Sequence, residues 1–252
     1  MEKIVDFPML IFFTSLIGLW LAARLGYACQ NRRRVLKEEE RTDFNIVLGA
    51  TLTLLGLIIS FSFSMVISRY DQRKNYEAEE ANAIGTELVR ADLLPAGDGA
   101  KVRELLKLYL DQRMLFYETR SIQELQQIDS RTAQLQAELW SVVQSAAVKQ
   151  PTCTMALATS GMNDVLNSQG YTQSAWWNRL PVGAWIFLAV IAILSNFLVG
   201  YSCHGNRLVV FVILPLAVSL SFFLIADIDS PRRGLIRVIP QNLLSVSRSL
   251  KG

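Results

Sequence analysis

The chain has 252 residues, of which 51% are hydrophobic, and it carries a formal net charge of +3. So small a charge, without a long basic run, argues against a nucleic-acid partner, and the apolar fraction is typical of a helical membrane protein with a modest soluble part. The three cysteines, Cys29, Cys153 and Cys203, form no CxxC pair, and His204 is the single histidine. A Cys/His metal site and a disulfide framework are therefore not expected.

The first apolar run, residues 7–23, predicts a transmembrane helix. Pro8 suits the first turn of a helix. The alternative is a signal peptide, which the short run and the small residues behind it allow, but acidic Glu2 and Asp6 are untypical of the positive start of such a peptide. A short charged connector over residues 29–43 follows.

The second run, residues 44–68, has no charged residue in 25 positions and is long enough to cross a bilayer with some tilt. No glycine or proline follows until Gly85, so the helix is predicted to continue into water as a charged helix. One face carries a stripe of small residues with two bulky apolar neighbours: Gly49, Thr53, Gly56, Ser60 and Ser64, with Leu57 and Phe61 on or beside them.

Two interpretations of this stripe stay open. Small residues allow close helix packing in lipid, and spacing alone favours that interpretation. The other interpretation is a pore wall on which Leu57 and Phe61 form an apolar constriction that gates by dewetting.

Residues 69–180 predict a helical extramembrane domain, because apolar residues recur at three or four positions and no strand signal is present. Pro95 and Pro151 mark its clearest breaks. Its apolar faces need partners, either each other or a neighbouring subunit. Trp176 and Trp177 are predicted to lie at the membrane interface, where aromatic residues collect.

Residues 181–226 hold the third and fourth predicted spans, with Pro215 as a kink, and residues 227–252 form a basic, partly amphipathic tail. With residues 1–68 as the first two spans, the predicted fold is all-α: four transmembrane helices plus the helical domain. Four spans place both termini and the domain on one side. The count of Lys and Arg near the span ends is almost even and leans slightly toward an outside domain.

Two stretches resemble the bestrophin-like family of bacterial membrane proteins. The first is residues 79–85, EEANAIG, within the segment 60–95, and the second is residues 227–238, DIDSPRRGLIRV. The order of spans agrees with that family over nearly the whole chain. The resemblance implies a bestrophin-like homo-oligomer in the bacterial inner membrane.

Bestrophins proper are pentameric ion channels whose second span lines the pore and continues into a cytosolic helix. The segment Arg69, Tyr70, Asp71 and Arg73 resembles that junction. The resemblance implies a pentamer of this chain, surrounded by membrane lipid and permeable to small ions, with a cytoplasmic domain, against the slight lean of the charge count. The pore lining that it implies is Thr53, Leu57, Ser60, Phe61 and Ser64.

The resemblance also suggests a metal site, since animal bestrophins hold calcium with acidic residues after the last span. Here only Asp227 and Asp229 stand there, and calcium takes several oxygen ligands, so a helix cap or a pairing with a nearby arginine is the simpler expectation. Glu79, Glu80 and Asn82 are expected in structural or intersubunit contacts, with Arg73, Arg90 or a neighbouring subunit as partners.

An enzyme is not expected, and neither is a cofactor, because no nucleophile constellation, phosphate loop or dinucleotide fingerprint is present. The main alternative to a channel is a non-conducting scaffold or sensor whose helical domain binds a partner through the amphipathic residues 105–143. A transporter is disfavoured, since no span carries a buried charge and no inverted repeat is visible.

Overall fold

The computed structural model describes residues 6–31, 38–203 and 208–250, and every regular element in that part of the chain is a helix. Glu2 and His204 lie outside it. The α-helices in chain order are α1 (Pro8–Asn31), α2 (Glu38–Arg90), α3 (Ala96–Glu118), α4 (Ile122–Lys149), α5 (Cys153–Trp177), α6 (Val182–Tyr201), α7 (Leu214–Asp229) and α8 (Gln241–Ser249). Four segments, in α1, α2, α6 and α7, are long and apolar enough to cross a membrane, which confirms the predicted all-α class.

Helix α2 is the longest element, with 53 residues, and at a rise of 1.5 Å per residue it is about 80 Å long. It runs without interruption through the apolar residues 44–68 and on to Arg90. It also begins at Glu38, so the second half of the expected connector is helical. Residues 38–43 contain neither glycine nor proline, so this part of the connector can join the helix.

The chain divides into two units. Residues 1–69 and 179–236 form one, here called the membrane unit, and residues 70–178 and 237–252 form the other, here called the helical domain. The C-terminal tail, expected as a separate segment, is thus divided between the two units after Ile236.

In the membrane unit, α1 packs along α6 and α7. The backbones of α1 and α6 approach so closely that a Cβ at Gly200 would overlap the carbonyl oxygen of Ala23, and a Cβ at Gly26 would overlap that of Phe197. Small residues permit this approach, which gives membrane helices their van der Waals contact when the hydrophobic effect cannot drive them together.

The fourth span is interrupted near its start. A π-helical turn, Val209–Ile213, precedes α7, and Pro215 stands in the first turn of α7. Proline lacks an N–H and its ring crowds the carbonyl four residues earlier, so the helix widens before it.

The helical domain is built around one apolar core to which α2, α3, α4, α5 and α8 contribute. On α2 the buried residues Ala81, Ile84 and Leu88 follow the helical period. Ser121 and Thr152 cap α4 and α5, each accepting a backbone N–H with its side chain. Of the two tryptophans predicted at the membrane interface, Trp176 is 5% exposed and packs in this core, whereas Trp177 is 73% exposed.

Candidate functional site

The apolar segment of α2 has one face that packs within its own subunit. Leu55, Ser62 and Val66 are buried there, at 3%, 6% and 0% exposure. At about 100° per residue these three positions fall within about 40° around the helix. They define the buried seam of α2.

The five predicted pore-lining residues lie on the other face. Measured around the helix, they lie between about 120° and 180° from the seam. All five are exposed in the single chain: Thr53, Leu57, Ser60, Phe61 and Ser64. Sequence spacing put them on one face, and the structure shows that this is the face which the subunit does not cover.

The chemistry of this open face is neutral. Thr53 Oγ1 donates to Gly49 O at 2.9 Å, and Ser60 Oγ donates to Gly56 O at 2.9 Å, so both hydroxyl protons are satisfied within the helix. Leu57 is 50% and Phe61 69% exposed. Only 11% of the most apolar part of α2 is buried, against 50% for the fourth span, so lipid, another subunit or water must cover the rest. Both interpretations, close helix packing and a pore wall, agree with the exposure of this face in a single subunit.

Two residues predicted for different reasons meet at the end of the apolar segment. Arg69 Nη1 lies 3.9 Å from Asp229 Oδ1, and both side chains are mostly buried. Asp229 also accepts the backbone N–H of Leu180, at 2.9 Å to Oδ1 and 3.2 Å to Oδ2. The pair joins the end of the α2 span to the end of α7 and the start of the third span.

The remaining junction residues belong to the helical domain. Arg73 is 1% exposed and its Nε donates to Ala175 O at 3.3 Å, while Tyr70 packs against the domain core. Asp71 is exposed. The junction therefore anchors α2 in both units through Arg69 and Arg73.

Asp227 holds the turn that follows α7. Its two oxygens accept the backbone N–H groups of Leu235 and Ile236, at 2.7 and 2.8 Å. A Cβ at Gly234 would overlap the carbonyl oxygen of Asp227, so only glycine allows the chain to pass this closely. Asp227 and Gly234 of the DIDSPRRG segment thus serve one tight turn.

The suggested calcium site gains no support from this turn. Among the described residues no group of three or more His, Cys, Asp or Glu is placed to hold a metal ion, whereas calcium takes six to eight oxygens. The calcium hypothesis stays a prediction.

Glu80, by contrast with exposed Glu79 and Asn82, lies at the centre of the helical domain. It forms an ion pair with Arg113, and both side chains have 0% exposure. It also accepts hydrogen bonds from Tyr117 Oη at 3.4 Å and Thr172 Oγ1 at 3.1 Å. Burial raises the pKa of the Tyr117 hydroxyl, and the Glu80 carboxylate raises it further.

Sequence reasoning missed the partner of Glu80, which is Arg113 instead of Arg73 or Arg90. It also missed Glu77, whose carboxylate accepts the backbone N–H groups of Asn242 and Leu243 at 2.9 and 3.0 Å and thereby holds the start of α8. The signal was present, because Glu77 and Glu80 stand seven and four positions before buried Ile84 and share its face of the helix.

Glu87 is a third carboxylate on the buried side of α2. It has 0% exposure, and neither oxygen has a hydrogen-bond partner among the described residues. Burial raises the pKa of Glu87 to about 8, with Arg90 opposing and Asp164 adding to the rise. Glu87 therefore binds a proton far more tightly than an exposed glutamate does.

Comparison with known proteins agrees with this architecture. A family model described as a bestrophin-like domain matches residues 17–243. Two crystal structures of bacterial bestrophin homologues from Klebsiella pneumoniae superpose with TM-scores of 0.64 at 13% and 14% identity, covering 94% and 96% of this chain and 97% of each of theirs. A structure described as a membrane protein gives 0.65 at 13% identity and covers 96% of both chains. Identities this low show a shared fold. Among curated proteins no sequence matches.

Proposed function

Because the chain belongs to the bestrophin-like family, we propose that it is a homo-oligomeric ion channel of the membrane in which α2 lines the pore. A pentamer follows by analogy with bestrophins. Thr53, Ser60 and Ser64 would face the ion path, and Leu57 and Phe61 would form its apolar neck.

The observation that carries the proposal is the position of these side chains opposite the buried seam. In the proposed ring the seam packs against the rest of the same subunit, and the opposite face of α2 is directed toward the axis. That face is uncharged and partly hydroxylated, so water can wet it except where Leu57 and Phe61, about one turn apart, narrow it.

Ion flux through liposomes tests the neck. Phe61→Ala removes a large apolar side chain that is 69% exposed, so we expect flux several times that of the parent because the neck becomes wider and wetter. Phe63→Ala is the matched control: Phe63 is on the same helix and 37% exposed, but it lies about 80° from the seam, on the flank. Flux unchanged in Phe61→Ala, or raised equally in both variants, would contradict a neck at Phe61.

The scaffold alternative loses the surface that motivated it. Most apolar residues between positions 105 and 143 are buried in the core of the helical domain, among them Leu106, Leu135 and Leu139 at 0% exposure. They are therefore not available as a docking surface for a partner.

We place the helical domain in the cytoplasm of a bacterium, with the chain in the inner membrane. Two exposed cysteines test this placement, since one span separates Cys29 from Cys153. An impermeant maleimide is expected to label a variant retaining only Cys29 in intact spheroplasts, and a variant retaining only Cys153 after permeabilisation. The reverse pattern would put the domain outside.

A further inference from the structure

A groove of about 360 Å³ is lined by residues of three helices of the membrane unit, α1, α6 and α7. Its walls include Ile11 and Gly18 of α1, Val182 and Ile193 of α6, and Phe222 of α7. No step of the proposed channel function uses it.

The groove wall is apolar in its chemistry as well as in its composition. Two hydroxyl residues line it, but Thr14 Oγ1 donates to Leu10 O at 2.7 Å and Ser15 Oγ donates to Phe12 O at 3.0 Å. Both protons are satisfied by the helix backbone, and the other lining residues are aliphatic, aromatic or glycine, so apolar surface predominates. Hydrocarbon is the occupant that suits it.

The length of the groove along α6 matches the thickness of one leaflet. From Val182, the first residue of α6, to Ile193 the helix rises about 16 Å, which is about half of the ~30 Å hydrocarbon core. An extended acyl chain is the narrow object that a bilayer supplies at this depth.

Trp185 lines the end of the groove near the start of α6, and its Nε1 is buried within the subunit. A molecule in the groove therefore meets the indole ring and not its N–H.

Cationic groups flank the same end. The Arg233 guanidinium lies 4.3 Å over the ring of Phe7, which is one helical turn before Ile11, and Arg233 is exposed. Arg179, just before the start of α6, forms an ion pair with Asp6, just before the start of α1. Arg179 and Arg69 at this end lie against Asp6 and Asp229, whereas Arg233 is exposed and contacts a ring, so Arg233 is the cation that favours an anionic headgroup.

We propose that the groove binds one acyl chain of an anionic phospholipid, in the leaflet at which α1 and α6 begin. Arg233 attracts the phosphate of the headgroup. The bound chain fills the space between α1 and α6 that their side chains leave empty.

Native mass spectrometry of the delipidated protein, titrated with phosphatidylglycerol or phosphatidylcholine in mixed micelles, tests the site. Gly18→Leu puts a side chain into the groove, because a Cβ at Gly18 meets nothing within 4 Å. Gly183→Leu is the matched control: its Cβ is equally unobstructed, and Gly183 does not line the groove. We expect Gly18→Leu to retain one phosphatidylglycerol fewer per subunit than the parent, and Gly183→Leu to match the parent.

Arg233→Gln separates headgroup recognition from acyl-chain binding. We expect it to keep a lipid but to lose the preference for phosphatidylglycerol over phosphatidylcholine. Equal lipid retention by the parent and Gly18→Leu would overturn the proposal. So would efficient disulfide cross-linking of Gly18→Cys to a neighbouring subunit, which would make another copy of the chain the occupant.

Discussion

Replacing Arg113 with methionine removes the positive charge from the centre of the helical domain while keeping most of the side-chain volume. Glu80 then keeps the hydroxyl donors of Tyr117 and Thr172 but loses its counter-charge in a site with 0% exposure. Leaving one charge of a buried pair unpaired costs about 3–5 kcal/mol. The contact of the guanidinium with Phe116, 4.4 Å from its ring centre, is lost as well.

Thermal unfolding in detergent, followed by tryptophan fluorescence, measures this loss. Trp176 is a suitable reporter, because its ring lies 4.9 Å from Phe116 and 5.4 Å from Tyr117. At about 2–4 °C per kcal/mol for a chain of this size, we expect Arg113→Met to lower the midpoint by roughly 6–20 °C. Glu79→Gln, one position from Glu80 but exposed, is expected to stay within about 0.5 kcal/mol of the parent.

The double variant Glu80→Gln with Arg113→Met separates charge from packing. It leaves no unpaired charge, and glutamine still accepts from the two hydroxyl groups, so we expect it to be more stable than Arg113→Met alone. The reasoning would be refuted if Arg113→Met cost no more than the Glu79→Gln control. It would equally fail if the double variant lost the sum of the two single losses.

The remaining predictions concern three other contacts. The pKa of Glu87 is raised from 4.5 to about 8 in the folded state, so the folded chain binds the proton more tightly than the unfolded chain and stability falls as pH rises between these values. We expect Glu87→Gln to flatten that fall when unfolding midpoints are measured from pH 5 to 8.5. An unchanged slope of midpoint against pH would contradict the assignment. Gly200→Ala pushes a methyl group into the backbone of α1, so we expect a loss of several kcal/mol in thermal unfolding, whereas Gly18→Ala, with open space around its Cβ, is expected to be neutral or slightly stabilising. Glu77→Gln weakens the hydrogen bonds to the start of α8, and we expect faster amide exchange in α8 alone; Glu79→Gln should leave that exchange unchanged.

The sequence by itself determined the helical class and the four membrane segments. Long uncharged runs such as residues 44–68 can satisfy their backbone in lipid only as helices, so composition and length suffice. The stripe of Thr53, Ser60 and Ser64 was equally readable, because positions on one helix face follow from the helical period. The family resemblance came from short motifs and was confirmed by the match over residues 17–243.

The tertiary structure decided which side of each helix is covered and which charges meet. Trp176 stands before a membrane span in sequence but lies in the domain core, because α5 continues through it and turns its ring toward Phe116. Glu80 finds Arg113 on another helix, 33 residues away, and Arg69 finds Asp229 across 160 positions. Such pairings depend on how helices pack in three dimensions, which the period of a single helix does not encode. The seam of Leu55, Ser62 and Val66 is likewise a property of packing, and it shows that the subunit covers the face of α2 opposite the candidate ion path.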